Sequence, residues 1–201
     1  MEQQKKLSAP RLSSIPFVLI WIGGHILVWT VLYGFVLTDT PNNWSQYVLI
    51  VVFGLIMGIG LSFMQKGLIQ FTYYAPLKWW LRVTIIGWVL GWLIFYISME
   101  LIEDLFRYYD DNLSLLLLPL FVTPAIMQWF ILRRNTRQTW LWIVAGAVSA
   151  MAFGALYGDQ SDEVYIQFFL GAVAQGAVTG LSLLWIYGQS RAEKIKTGEN
   201  G

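Results

Sequence analysis

The chain has 201 residues, of which 57% are hydrophobic, 16% aromatic and only 12% charged, whereas a soluble domain carries about a quarter charged residues. A water-soluble core of this size cannot absorb that excess. A net charge of +1, with no Lys/Arg-dense face interleaved with exposed aromatics, excludes a nucleic-acid partner, and the absence of cysteine removes disulfides, thiolate metal sites and cysteine nucleophiles.

Without water to satisfy its backbone, a chain crosses a bilayer as a helix of roughly 20 apolar residues or as a closed barrel, and continuous apolar runs select the helix. Residues 1–16, with Lys5, Lys6 and Arg11, read as a cytoplasmic amino-terminal segment. The first span is predicted over 17–37. It carries bulky Trp21, Trp29, Tyr33 and Phe35 and no small-residue cleavage site, so it is read as a retained helix rather than a secretory signal.

Near the middle of that span, after Gly23 and Gly24, stands His25, the one titratable residue other than tyrosine inside the charge-free apolar runs. As a functional group it would ligate the metal of a tetrapyrrole or shuttle a proton; as a structural one it would bond a neighbouring carbonyl or glutamine. The structural reading is preferred, because a haem usually has a second axial ligand or a defined pocket and the chain has no second histidine. The sequence requires no cofactor.

The second and third spans are placed at about 47–65 and 80–99. Their charge-free stretches, 47–64 and 83–99, are short, but Trp44, Trp79 and Trp80 sit at their ends, where aromatic rings prefer the headgroup region. Over 98–111, Met99, Ile102, Leu105, Phe106 and Tyr109 recur at helical spacing among Glu100, Glu103, Asp104, Arg107 and Asp110. This predicts an interfacial helix along the outer membrane surface, or an extension of the third span, serving as an anchoring cap in preference to a ligand lid.

The fourth span is predicted over 113–132, bent by Pro119 and Pro124, which free backbone carbonyls. The fifth covers 138–158 and the sixth 164–190, and 191–201 is a cytoplasmic tail. The fold class is therefore an all-α integral membrane protein whose single domain, 17–190, has six transmembrane helices.

Loop charges orient the bundle. With the amino terminus cytoplasmic, twelve of the thirteen basic residues fall inside and only Arg107 outside, while the outer loops collect Asp39, Glu100, Glu103, Asp104, Asp110, Asp111, Asp159, Asp162 and Glu163. That separation obeys the positive-inside rule. An odd number of spans would scramble it, so both termini are expected on the cytoplasmic side of a bacterial cytoplasmic-type membrane.

An internal repeat is legible. Met64, Gln65 and Lys66 followed by Trp79 parallel Met127 and Gln128 followed by Arg133, Arg134 and Trp140; Gly60-Leu61-Ser62 parallels Gly180-Leu181-Ser182. The unit would be a helical hairpin used three times, each returning the chain to the cytoplasm.

Lipid tails do not drive helices together, so association relies on close approach at small residues. Suitable pairs are Gly54 and Gly58, Gly87 and Gly91, and Gly176 and Gly180, with a stripe at Gly146, Ala150 and Gly154. Packing within one monomer is preferred to a dedicated oligomer interface. Gln65, Gln128 and Gln175 are candidates to line a polar cavity with His25; with Gln167, Ser62, Thr84, Thr123, Ser149, Thr179 and Ser182 they would otherwise be interhelical glue. Lys66, Arg82, Arg133 and Arg134 are candidates for holding anionic lipid headgroups, although ordinary topology-setting charge explains them too.

No HExxH-like, GxSxG or paired-acid constellation occurs in or beside the spans, no span carries a carboxylate, and no phosphate loop is present. No catalytic residue and no metal site is therefore expected. Met127-Gln128-Trp129-Phe130-Ile131-Leu132-Arg133-Arg134 resembles a pattern in uncharacterised bacterial multi-pass proteins, where a glycine-rich helix ends in Gln-Trp and enters an Arg-Arg loop; it covers one hairpin and implies no activity. Size and span count are also similar to the substrate-binding subunits of energy-coupling-factor vitamin transporters, but their alanine-spaced first-helix motif is replaced here by Gly23, Gly24 and Gly34. Three hairpins are similar to mitochondrial carriers, yet Pro76 is not followed by that family's acid and base.

The expectation is a non-catalytic accessory or scaffold subunit that packs against other membrane protein subunits and membrane lipids, with lipid or pigment as candidate ligands. The alternative is a small-solute binding or permeation protein with a cavity among His25 and the glutamines, and a membrane enzyme is third.

Overall fold

The computed structural model describes residues 12–37, 46–73, 77–106, 113–134, 136, 138–157 and 164–197. The chain folds as an all-helical bundle of α1 (Ser14–Leu37), α2 (Gln46–Tyr73), α3 (Trp80–Phe106), a four-residue α4 (Leu113–Leu116), α5 (Leu118–Leu132), α6 (Trp140–Tyr157) and α7 (Val164–Thr197). Among the described residues there is no strand. Among the same residues, four helices are long and apolar enough to cross a membrane, over Ser14–Phe35, Tyr47–Tyr73, Trp80–Leu101 and Ile166–Gln189.

The fourth and fifth predicted spans are shorter as helices. The apolar stretch 113–132 is divided at Leu117, the N-cap of α5. Pro119 has no N–H to give the carbonyl one turn earlier, and its ring obstructs that carbonyl, so a helix restarts there rather than running through. In front of α6, Gln138 takes a positive φ of 55°, a conformation that does not propagate into a right-handed helix. The helix therefore begins at Trp140, two residues later than the sequence suggests.

Other ends move outward. Lys66 closes the apolar count of the second span, yet α2 continues seven residues past it through Gly-Leu-Ile-Gln-Phe-Thr-Tyr. A lysine near a helix end can lay its methylenes along the helix and lift its ammonium out, so it does not terminate the helix. Likewise α7 runs to Thr197, beyond the predicted edge at 190. The stretch 98–106 continues α3 without a break, and residues 107–111 lie outside the described residues, as do the amino-terminal segment through Arg11 and positions 198–201 of the tail.

Six helices close into a ring in chain order. α1 packs on α2, α2 on α3, α3 on α5, α5 on α6, α6 on α7, and α7 returns to α1. Neighbours run antiparallel: Gly54 and Gly58 of α2 face Val89 and Ile85 of α3, and Gly87 and Gly91 of α3 face Pro124 and Leu120 of α5. One end of the ring thus gathers the start of α1, the end of α2, the start of α3, the end of α5 and the end of α7.

The surface inverts the soluble pattern. Ile15, Leu19, Leu27, Val31, Phe63, Phe71, Met151, Phe169 and Leu181 are exposed, while His25, Ser62, Gln65, Thr72, Thr84, Gln128, Ser149, Gln167, Gln175 and Thr179 are buried. Exposed apolar surface on this scale is costly in water and costs nothing in hydrocarbon.

Each glycine pair closes an interface inside the chain. A Cβ on Gly54 would fall 2.6 Å from Val89 Cα, on Gly58 2.7 Å from Ile85 Cα, on Gly87 2.6 Å from Pro124 Cα, and on Gly176 2.8 Å from Ile22 Cα. Such approaches of backbone to backbone leave no space for a side chain. Gly180 receives the Trp21 ring, Gly146 lies against Phe121 and Ala125, and Ala150 and Gly154 of the same stripe are buried. At the α3–α5 contact the prolines and glycines act together. Pro124 cannot bond the Leu120 carbonyl behind it, and that oxygen lies 2.9 Å from where a Cβ of Gly91 would sit. Glycine lets the freed oxygen rest against α3.

Candidate functional site

The bundle axis is built from aromatic rings and amides. Towards one end Phe17, Trp21, Leu77, Trp80, Leu132, Trp142, Leu183 and Ile186 share a cluster; towards the other, Trp29, Met57, Leu61, Trp88, Phe121, Phe153 and Ala172 do. Rings fill the axis edge to face, as at Trp21–Trp142 (6.4 Å) and Trp29–Trp88 (6.4 Å), or stacked, as at Trp29–Phe121 (6.2 Å). Between the clusters lie the polar side chains.

Gln128 is the hub. Its amide donates to Gln65 Oε1 (2.9 Å) and to Thr84 Oγ1 (2.9 Å), and its carbonyl oxygen accepts from Trp142 Nε1 (2.9 Å). One side chain of α5 is thereby bonded to α2, α3 and α6, and both its amide protons are used. A second set joins α1 to α7. Trp21 Nε1 donates to Thr179 Oγ1 (2.9 Å), which donates onward to the Gln175 carbonyl (2.7 Å), and Trp29 Nε1 donates to Gln175 Oε1 (2.6 Å).

His25, fully buried, turns Nδ1 to the Trp21 carbonyl one turn back (2.9 Å). Nε2 is buried and has no hydrogen-bond partner. It lines a small cavity of about 20 Å³ that also borders Gln65, Gln128, Ser149, Gln175 and Thr179. The three glutamines and the histidine singled out from the sequence therefore converge on one place, and Gln65 and Gln128 lie at one depth because they bond each other.

The cavity's size decides what it can hold. About 20 Å³ is room for one water, whereas drug-sized ligands occupy pockets of roughly 300–1,000 Å³. A tetrapyrrole on His25 does not fit: Nδ1 is engaged, and the ring on the Nε2 side is enclosed by packed side chains. No group of three His, Cys, Asp or Glu residues that could hold a metal ion occurs among the described residues.

The four basic candidates all belong to one end of the ring. Arg133 stacks its guanidinium over Trp129 (4.9 Å) and Phe130 (4.8 Å), and Arg82 over Trp79 (4.6 Å). Arg134 is exposed and Lys66 half-buried. Arg–aromatic stacks of this kind fix a cation beside an amphipathic ring, the arrangement found where hydrocarbon meets headgroups.

Sequence reasoning passed over the indole donors. Trp21 and Trp29 stand inside α1 and Trp142 in the first turn of α6, all three buried, and each spends its N–H on the network. A signal for them exists in the sequence. Tryptophan prefers the interface and needs a partner for its N–H when buried, so a mid-span tryptophan calls for a buried acceptor on a neighbouring helix.

No family model, no curated protein and no solved structure matches the chain; the chemistry of the site rests on its own residues.

Proposed function

We propose that the chain is a six-span integral membrane protein, both termini cytoplasmic, in a bacterial cytoplasmic-type membrane, and that it is a non-catalytic accessory or scaffold subunit of a larger membrane complex. The observation that carries this reading is the filled axis. The glutamines that could have lined a solute path are bonded to one another, to Thr84 and to indole N–H groups, around a cavity with room for a single water. The solute-binding alternative requires a larger polar chamber there.

Support for a partner comes from glycines that the chain does not use. Gly23, Gly67 and Gly188 are exposed, and a Cβ at each would meet nothing within 4 Å. A helical glycine costs about 1 kcal/mol relative to alanine in water and offers a flat place for another helix to approach. Three helical hairpins returning to the cytoplasm fit the same scheme, as do Lys66, Arg82, Arg133 and Arg134 as contacts for anionic lipid at the cytoplasmic face.

Purification from native membranes in mild detergent, with mass spectrometry of what accompanies the chain, tests the proposal. A second membrane protein should co-purify in fixed ratio, and Gly23→Leu should release it while leaving the bundle folded. A chain that runs alone from native membranes overturns the scaffold reading. Topology has its own test, simplified because the chain has no cysteine. A cysteine at Arg134 should react with an impermeant thiol reagent only from the cytoplasmic side, and one at Glu100 only from outside; reaction from one side at both positions refutes the six-span arrangement.

A further inference from the structure

The axial hydrogen bonds fall into two sets. Gln128 ties α5 to α2, α3 and α6, and Trp21 and Trp29 tie α1 to α7. The small cavity borders both, with His25 and Gln175 on one side and Gln65, Gln128 and Ser149 on the other.

What each wall can offer follows from bonds already made. A carbonyl only accepts, so His25 Nδ1, 2.9 Å from the Trp21 oxygen, carries the ring proton. In the neutral imidazole the other nitrogen is then a bare acceptor, and that Nε2 is buried and unpartnered. Ser149 gives its hydroxyl proton to the Ala145 carbonyl at 2.7 Å, which leaves its oxygen able to accept. Gln65 and Gln175 each use one lone pair of Oε1, on Gln128 and on Trp29, and their amide N–H groups are the donors they can turn to the cavity. The walls thus hold acceptors, among them His25 Nε2 and Ser149 Oγ, and donors, the amides of Gln65 and Gln175.

One water has the matching complement, two donors and two acceptor sites. The volume agrees: about 20 Å³ exceeds the ~10–15 Å³ that a single water needs. A metal ion does not suit these walls, since no carboxylate or other charged side chain lines them. A buried imidazole acceptor left unmet keeps its full desolvation penalty, which the water removes.

We propose that the cavity is a binding site for a single water molecule, which donates to His25 Nε2 and Ser149 Oγ, accepts from the Gln65 and Gln175 amides, and joins the α1–α7 pair to the other helices. The inference requires nothing of the scaffold reading, since it concerns only the interior of one chain.

The chain holds one histidine, so ring-¹⁵N labelling of the full-length protein in lipid bilayers gives an unambiguous solid-state NMR signal. The expected spectrum shows Nδ1 protonated and Nε2 bare, with magnetisation started on water protons arriving at Nε2. A protonated Nε2 overturns the proposal. So does a bare Nε2 that receives no magnetisation from water, the mark of a dry cavity or of a direct bond to a glutamine.

Discussion

Replacing Gln128 by leucine asks whether the axial network holds the bundle together or merely decorates it. The side chain is 3% exposed, and its amide and carbonyl reach three other helices. Leucine is close to glutamine in volume, so little cavity is made, but Gln65 Oε1, Thr84 Oγ1 and Trp142 Nε1 each lose a bond. An interhelical hydrogen bond within a membrane is worth about 0.6 kcal/mol on average and about 1.7 at most. Three of them place the cost near 2 kcal/mol, with a ceiling near 5. Val144→Leu, at an exposed apolar position, exchanges one outward-facing apolar side chain for another and should stay within about 0.5 kcal/mol. The assay is reversible unfolding in mixed micelles or steric trapping in bicelles, with both variants measured beside the wild type. A cycle with Gln65→Leu sharpens it: both substitutions destroy the same bond, so the double variant should cost less than the two singles together. A Gln128→Leu protein as stable as the wild type would refute the reasoning and leave packing as the sole source of cohesion.

Glycine positions separate by what a Cβ would meet. Gly87→Val drives its side chain onto the Pro124 backbone and should cost about 1–3 kcal/mol or more in the same unfolding assay, whereas Gly23→Ala meets open space and should be neutral or stabilising by up to about 1 kcal/mol; equal effects would show that the α3–α5 contact yields easily. Removing both guanidinium groups, as Arg133→Gln with Arg134→Gln, should weaken retention of anionic lipid about fivefold per charge, from roughly 1 kcal/mol each, as read by native mass spectrometry across lipid compositions. Unchanged retention would assign those residues to topology alone.

How much was legible in the sequence depends on which physical signal carries each feature. Helix existence was legible, because a continuous apolar run has no other way to satisfy its backbone in hydrocarbon. Ends were less so. Counting stops at the first charge, and Lys66 is half-buried within α2 rather than after it. Pro119 marks a disturbance in the sequence, but whether a proline bends a helix or divides it depends on its neighbours; here Leu117 caps a fresh start, while Pro124 stays inside α5 because Gly87 and Gly91 let α3 close over the irregular backbone.

Rotation about each axis is the harder quantity, since lipid and core are both apolar and leucine, isoleucine or valine can face either. Only residues that hydrocarbon rejects, or that leave space for a backbone, reveal which way a helix turns. Gln65, Gln128, Gln175 and His25 did so: all four point to the axis, as an amide or imidazole must when the alternative is a lipid tail. What the sequence withheld was the pairing. Nothing in the spacing of Gln128 says that it reaches Trp142 as well as Gln65, because that choice is set by the antiparallel ring, in which α5 lies between α3 and α6. The ring also explains why one glutamine can serve three helices: a side chain on the axis is within reach of more than its two lateral neighbours, whereas the glycine pairs at the seams each serve one interface. Polar hub and glycine seam are therefore two solutions to the same problem, cohesion without a hydrophobic drive, one acting across the centre and the other between adjacent walls.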